Sequence, residues 1–168
     1  MTQLENFRAQ KDEFFASQPE SPLTPEQKRT FQGLSYFPEN PDLRLEVRVE
    51  EFAEGDEIQM QTTTGGVQDY LRFGRFKFQV DGDEAELTIY ASQHGFFLPF
   101  ADALAGEETY GAGRYLDIEP NGDGTVTIDF NYAYHPFCAY SDAYSCALPP
   151  YENWLEVPIR AGERNPDA

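Results

Sequence analysis

From Leu43 to Glu50 the chain alternates without a break: Leu43, Leu45, Val47 and Val49 against Arg44, Glu46, Arg48 and Glu50. Successive side chains point to opposite faces in an extended backbone, so this stretch reads as a half-buried strand with one charged, solvated face. The same period recurs more weakly through Ile58 and Met60 within residues 56–62. After the Gly65-Gly66 turn, Leu71 and Phe73 fall out of phase with Phe76, Phe78 and Val80. A bulge at Gly74 would bring both sets to one face. Asp81-Gly82 and Asn121-Gly122-Asp123-Gly124 are hairpin signals. Around them, residues 84–91, 95–100, 113–119 and 124–131 read as strands, and Leu155, Val157 and Ile159 suggest a last one. Short strands separated by turns, with no helices between them, mean a mainly β, antiparallel domain, either a barrel or a sandwich.

Helical spacing is confined to the start. Thr2 and Glu5 make a capping-box pattern, and Leu4, Phe7, Lys11, Phe14 and Phe15 follow on one stripe, with the lysine stem beside the apolar residues. Prolines 19 and 22 end that helix. Thr24, Pro25 and Gln27 repeat the start signal for a short helix to about Phe31, stopped by Gly33. A length of 168 residues suits a single domain: a helical cover over 1–33, a β body over 43–131, and an aromatic, Cys- and Pro-rich loop with the last strand over 132–163. The helices are expected to cover an edge or an open end of the β body, and the tail 164–168 to fray.

Charge narrows the partners. With 30 acidic and 12 basic residues the net charge is −18, which disfavours nucleic acid and anionic membrane surfaces, since both need clustered Lys and Arg. Only Lys11, Lys28 and Lys77 are lysines. An acidic excess with so little lysine resembles proteins of a salt-loaded, halophilic cytoplasm, where salt screens self-repulsion. No apolar run approaches the roughly 20 residues of a membrane span, and the first ten residues lack a secretory pattern. The expectation is a soluble, cytoplasmic protein; Cys138 and Cys146 could close their loop as a disulfide, although that setting favours thiols.

The unusual chemistry gathers in residues 109–163. Glycines 111 and 113 before Arg114 suit either a tight turn or backbone N–H groups at an anion, with Arg114 forking onto a carboxylate or phosphate. A dinucleotide fingerprint is excluded, because a strand follows where a helix is required. Alternation places Val126, Ile128 and Phe130 inward and Thr127, Asp129 and Asn131 on the other face, which is either solvated or a pocket lining. His135, Cys138 and Cys146 have the ligand types of zinc but lack a fourth ligand and a tight C-x-x-C spacing. A Cys–His nucleophile oriented by Asp129 or Asn153 has nothing visible to activate it. Asp102, Glu107, Glu108, Asp117 and Glu152 are mostly surface solvation in so acidic a chain. Tyr132, Tyr134, Tyr140, Tyr144, Tyr151 and Trp154 either line a cleft or fill a long loop.

These fragments, taken together, carry a resemblance. F-L-P-F-x-D, T-Y-G-A-G-R-Y-L-D, D-F-N-x-A-Y-x-P-x-C-A-Y, S-C-x-L-P-P-x-E-N-x-L and A-G-E resemble the family known as domain of unknown function 1684, as do the earlier K-D-x-F-F and S-P-L-x-x-E. The resemblance implies that Arg114, Asp129, Asn131, Tyr134, Cys138, Tyr140, Cys146, Pro149, Glu152 and Asn153 occupy motif positions. It implies no activity. His135 and Phe137 stand where the family's pattern is N-P-P-C, and Trp154 where it has arginine, so neither a shared metal ligand at 135 nor an anion site at 154 is expected.

The reading that follows is a domain binding a small polar or carboxylated molecule. Arg114, Asp129 and Asn131 would form the pocket, with Tyr134, Tyr140, Glu152 and Asn153 in its walls and Cys138 and Cys146 in structural roles. The alternatives are a hydrolase using Asp129 or Cys138 in the same cleft, and a non-catalytic protein whose aromatic loop packs on a partner. No metal is expected, and no cofactor is implied.

Overall fold

In the computed structural model, which describes residues 2–166, both helices start where their caps lie. In α1 (Gln3–Ser17) the Thr2 hydroxyl accepts the Glu5 N–H at 3.1 Å, and α2 (Pro25–Thr30) begins with a complete capping box between Thr24 and Gln27. Ten strands follow among the described residues. They are β1 (Ser35–Tyr36), β2 (Arg44–Arg48), β3 (Glu50–Glu51), β4 (Glu57–Gln61), β5 (Val67–Val80), β6 (Asp83–Ser92), β7 (Gly95–Phe100), β8 (Arg114–Ile118), β9 (Thr125–Asp129) and β10 (Glu163–Arg164). Every ladder is antiparallel.

Six strands form one sheet in the order β3-β5-β6-β7-β8, with β4 also on β5, while β2–β9 and β1–β10 are separate pairs. The mainly β, antiparallel architecture is therefore present, but the ladders do not close into a barrel. The chain leaves β2 at Val49 before β3 begins, and beyond β8 and β9 themselves only a Pro120–Val126 bridge joins those two segments. One cluster of buried side chains, including Phe76, Leu87, Leu98, Leu116, Ile128 and Phe130, draws on both the large sheet and the β2–β9 pair.

The bulge lies at Gly74, where the β5–β6 register shifts between Arg72 and Gly74. A side chain there has no room, because a Cβ would stand 2.5 Å from Val49 Cγ1 and 2.8 Å from the Glu50 carbonyl. The bulge carries Phe73 to the main core, against Phe96 at 4.5 Å, but Leu71 remains 37% exposed. Before the bulge it is Tyr70 that turns inward, onto a second cluster with Met60, Tyr90 and Phe97. Asp81-Gly82 is the hairpin expected, both residues with positive φ.

The last strand is a correction. Residues 155–162 alternate in burial, with Val157 and Ile159 buried, yet no ladder forms there. The segment is an irregular strap, tied to the body by Leu155 N–H to Ala101 carbonyl at 2.7 Å and Ala103 N–H to Val157 carbonyl at 3.1 Å. Only after it does the chain pair, as β10 with β1, so Arg164 is ordered where fraying was expected; residues 167–168 lie outside the described ones. The α1 helix covers the aromatic loop rather than a sheet edge. Phe7 meets Tyr132 at 4.9 Å, and Phe15 meets Tyr140 at 5.0 Å and Phe137 at 5.9 Å. No helix among the described residues is long and apolar enough to cross a membrane.

Candidate functional site

Arg114 begins β8 immediately after Gly113, whose φ of +101° and close approach to the Phe100 carbonyl require glycine. Its guanidinium is 1% exposed and turns into the protein. Nη1 donates to the carbonyls of Ala161 at 2.6 Å and Glu163 at 3.0 Å, and Nη2 to the Ile159 carbonyl at 2.8 Å and Asp102 Oδ2 at 3.3 Å. Asp102 Oδ2 also accepts the Ile159 N–H at 2.6 Å. A guanidinium with five donors in a rigid fork suits the simultaneous capture of several carbonyls. The glycines around residue 112 therefore form the tight turn, and the arginine they introduce is engaged with the strap rather than open to a ligand.

Asp129 and Asn131 bond each other directly, Asn131 Nδ2 donating to Asp129 Oδ1 at 2.8 Å, but neither is a partner of Arg114. At the end of β9 the chain turns into a short 3-10 helix, Phe130–Tyr132, which Asp129 caps by accepting the Asn131 N–H at 3.0 Å. That turn rotates Asn131 out of the strand alternation and buries it to 2% exposure. Its Oδ1 accepts the Asn40 N–H at 2.8 Å and its Nδ2 donates to the Asn40 carbonyl at 3.0 Å, which fixes the chain entering β2. Asp129 keeps its outer oxygen 3.7 Å from Arg44, on the floor of an open cleft of about 580 Å³ between α1 and β9.

Glu152 and Asn153 form a latch on β5 and β6. Glu152 takes a bidentate pair from Arg72 at 3.0 and 2.7 Å and a hydrogen bond from the Tyr90 hydroxyl. Burial pushes its carboxyl up, but Arg72 and Tyr90 outweigh burial and hold it below the usual carboxylate range. Asn153 is fully buried, accepting the Thr88 N–H and donating to the carbonyls of Thr88 and Pro99 at 2.8–2.9 Å. Tyr134 donates to Asp117 at 3.0 Å, and its ring lies 4.4 Å from Lys11 Nζ. Both cysteines are free thiols, and Cys138 Sγ accepts the Tyr110 hydroxyl at 3.6 Å.

The most chemically loaded place combines residues that sequence reasoning did not join. Glu163 is 1% exposed. Its Oε1 accepts the His135 backbone N–H at 3.1 Å and Lys11 Nζ at 3.3 Å, while its Oε2 faces His135 Nδ1 at 3.2 Å. Burial pushes Glu163 up, yet the His135 and Lys11 contacts prevail and hold the carboxyl below its usual range. Burial outweighs the pull of Glu163, Asp117 and Asp12 on Lys11, so its ammonium is pushed down. His135 Nε2 accepts the Tyr110 backbone N–H at 3.3 Å, and the hydrogen-bond network thus assigns the neutral ring its proton at Nδ1, toward Glu163.

His135 and Glu163 lie on the wall of a partly open pocket of about 300 Å³ whose lining is mostly apolar, with Leu23, Phe31, Leu34 and Ala139, but also includes Arg164 and Asn165. Tyr140 lies on this wall as well, so it is the ligand-binding candidate that the structure brings to this pocket. Two signals pointed here. Glu163 ends the A-G-E motif, and Lys11 interrupts an otherwise apolar helical stripe. Among the described residues no cluster of three or more Cys, His or acidic side chains has the geometry of a metal site.

The comparisons agree with the motif reading. The family described as "Protein of unknown function (DUF1684)" matches residues 29–164, which include every residue lining the pocket except Leu23, Asn165 and Pro166. A solved structure, the solution NMR structure of an uncharacterized protein of Haloarcula marismortui, is 39% identical with a TM-score of 0.74. That alignment covers 96% of this chain and 92% of the other. No curated protein matches.

Proposed function

Since the chain belongs to the DUF1684 family, whose description assigns no activity, we propose from the site alone that it binds a small molecule in the pocket between α2, the aromatic loop and β10. One observation carries this reading: a buried Lys11–Glu163 ion pair, with His135 against the same carboxylate, lies at the wall of a mostly apolar cavity. Buried ion clusters cost desolvation and seldom add stability, and a few convergent polar groups on an apolar pocket are the usual form of a ligand site. The charge that the Lys11 contact leaves in the wall is the Glu163 carboxylate, whereas His135 Nε2 is already occupied by the Tyr110 N–H. The ligand is therefore a compact, largely apolar molecule with a hydrogen-bond-donating head, a different class from the polar or carboxylated compounds expected from sequence.

Binding is favoured over hydrolysis by the partner of His135 Nε2. In a nucleophile–base pair that nitrogen faces a hydroxyl or thiol, whereas here it faces the Tyr110 backbone N–H, and the Cys138 thiol is engaged by the Tyr110 hydroxyl. The frame that holds the pocket is sandwich-like on this reading, since β2–β9 and the larger sheet bury one cluster between them. A cytoplasmic setting suits the two free thiols.

The test is a thermal-shift screen with small alcohols, amines and amides on wild type, His135→Asn and Leu34→Trp. A ligand of the folded state raises the melting temperature by mass action, about 2.7 kcal/mol at a hundredfold excess over Kd. The expected result is a hit that weakens in His135→Asn and disappears in Leu34→Trp, which fills the cavity without touching the ion pair. A hit unchanged in both variants but lost in Asp129→Asn would move the site to the open cleft. Absence of any hit from a well-folded protein would defeat the proposal.

A further inference from the structure

The aromatic loop divides its side chains between two cavities. His135, Ala139 and Tyr140 line the binding pocket, whereas Tyr134, Phe137 and Tyr144 line a separate, open groove of about 310 Å³. The large sheet completes that groove with Tyr70 of β5, Phe97 of β7 and Tyr115 of β8. These rings touch one another. Tyr70 stacks on Phe97 at 5.4 Å, Phe97 meets Tyr115 edge-on at 4.7 Å, Tyr115 meets Tyr134 at 5.9 Å, and Phe137 meets Tyr144 at 5.2 Å. All six are half-buried, so each keeps some surface open to solvent. What the wall lacks is spare hydrogen-bonding capacity. Three of its four tyrosine hydroxyls already donate within the protein: Tyr70 to Gln68 Oε1 at 3.1 Å, Tyr134 to Asp117 at 3.0 Å, and Tyr115 to the Ala147 carbonyl. Ser145 Oγ pairs with Thr64 Oγ1 at 2.6 Å.

We infer that this groove binds a free, small quaternary ammonium compound. A ligand rich in hydroxyls or amides would find few partners on such a wall. An anion would find no cation, because none of the lining residues is charged, and it would approach a chain of net charge −18. Aromatic rings carry a negative face that attracts cations, and a quaternary nitrogen brings its charge without an N–H that needs an acceptor. Its methyl groups meanwhile pack against ring surface as any apolar group would. The protein already uses one of these rings in this way, since Lys11 Nζ lies 4.4 Å from the centre of the Tyr134 ring. The Asp117 carboxylate that accepts the Tyr134 hydroxyl places a negative charge beside the same wall. That charge favours a simple cation over a zwitterion that carries its own carboxylate.

The experiment is a saturation-transfer NMR titration of the whole protein with choline chloride, the ionic strength held constant with NaCl. The comparison compound is the dimethylbutanol in which carbon replaces the charged nitrogen. Choline is expected to saturate the protein and to bind at least about fivefold more tightly than this uncharged isostere. Tetramethylammonium, which has no hydrogen-bond donor, should displace it. Tyr144→Leu and Tyr70→Leu keep apolar volume but remove a ring, so each should weaken choline at least about threefold and leave the isostere nearly unchanged. Leu34→Trp, which fills the other pocket, should leave choline binding as it is, so the two readings can fail separately. Equal affinity for choline and the isostere would make this a merely apolar groove and overturn the inference. It is overturned equally by choline binding that neither leucine variant weakens, or by no saturable binding to folded wild type. The wild-type comparison of the two compounds decides the matter even where a leucine variant folds poorly.

Discussion

Arg114 carries more of the fold than any other single side chain, because three backbone carbonyls and one carboxylate depend on it. Removing it leaves Asp102 and three carbonyls buried without their partner. Arg114→Ala is therefore expected to cost about 3–5 kcal/mol, the range for breaking a buried pair. Arg114→Lys should fail as well, because a single ammonium cannot reach all four acceptors; urea unfolding of the three proteins checks both. Glu163 makes a prediction in pH. Its folded-state value lies below the ordinary 4.5, so its contribution is complete above that pH and is lost as pH falls through the folded value. Urea midpoints from about pH 7 to about pH 3 should fall more steeply in wild type than in Glu163→Gln, which starts lower and flattens. At this scale the sequence shows residue types but not partners. Arg114 after two glycines is conspicuous, yet three of its four acceptors are backbone carbonyls 45–49 residues on, which no side-chain pattern encodes. Asn131 misleads for a different reason: the apparent strand period carries on two residues past Asp129, which caps a turn.

Among the elements, β5 shows what a sequence pattern can specify. Its phase break at Gly74 was readable because the apolar residues changed parity there, and the register shift occurs at that position. The strap over 155–162 shows the opposite. Its alternation was real and its burial followed, but the backbone groups that a strand would present to a neighbour are taken by Arg114, Asp102 and Ala101. Period two reports which side chains go inward and does not say whether a ladder exists. The bulge can be tested directly. Gly74→Ala places a methyl 2.5 Å from Val49 Cγ1 and 2.8 Å from a backbone oxygen, at the junction of β3 and β5. A cost of about 1–3 kcal/mol is expected from overpacking. Gly82→Ala, at φ +88° with nothing within 4 Å, provides the comparison in which only backbone conformation is penalised. Thermal melts should show the Gly74 variant as the less stable of the two.

For the whole molecule the governing quantity is charge. Its 12 cationic side chains are largely spent locally: Arg114, Lys11, Arg29, Arg44, Arg72, Arg75, Lys77 and Arg160 each have a carboxylate within 4.0 Å. The excess of 18 negative charges is therefore spread over the surface without local compensation, and folding concentrates it. Salt acts differently on the two populations. The Debye length falls from about 10 Å at 0.1 M to about 3 Å at 1 M, so repulsion between scattered carboxylates is screened away, while the buried Arg114–Asp102 and Lys11–Glu163 pairs are screened much less. Exposed pairs such as Lys77–Glu84 lose little, since each contributes at most about 1 kcal/mol. The melting temperature should consequently rise as KCl increases from about 0.1 to about 1 M, with most of the gain at the lower end, where screening changes fastest. A variant in which several exposed acidic residues of β2–β4, among them Glu46, Glu57 and Glu51, become glutamine should be more stable at low salt and gain less from KCl. If instead the melting temperature falls with salt in both proteins, attractive surface pairs outweigh the repulsion, and the acidic excess is not what limits stability.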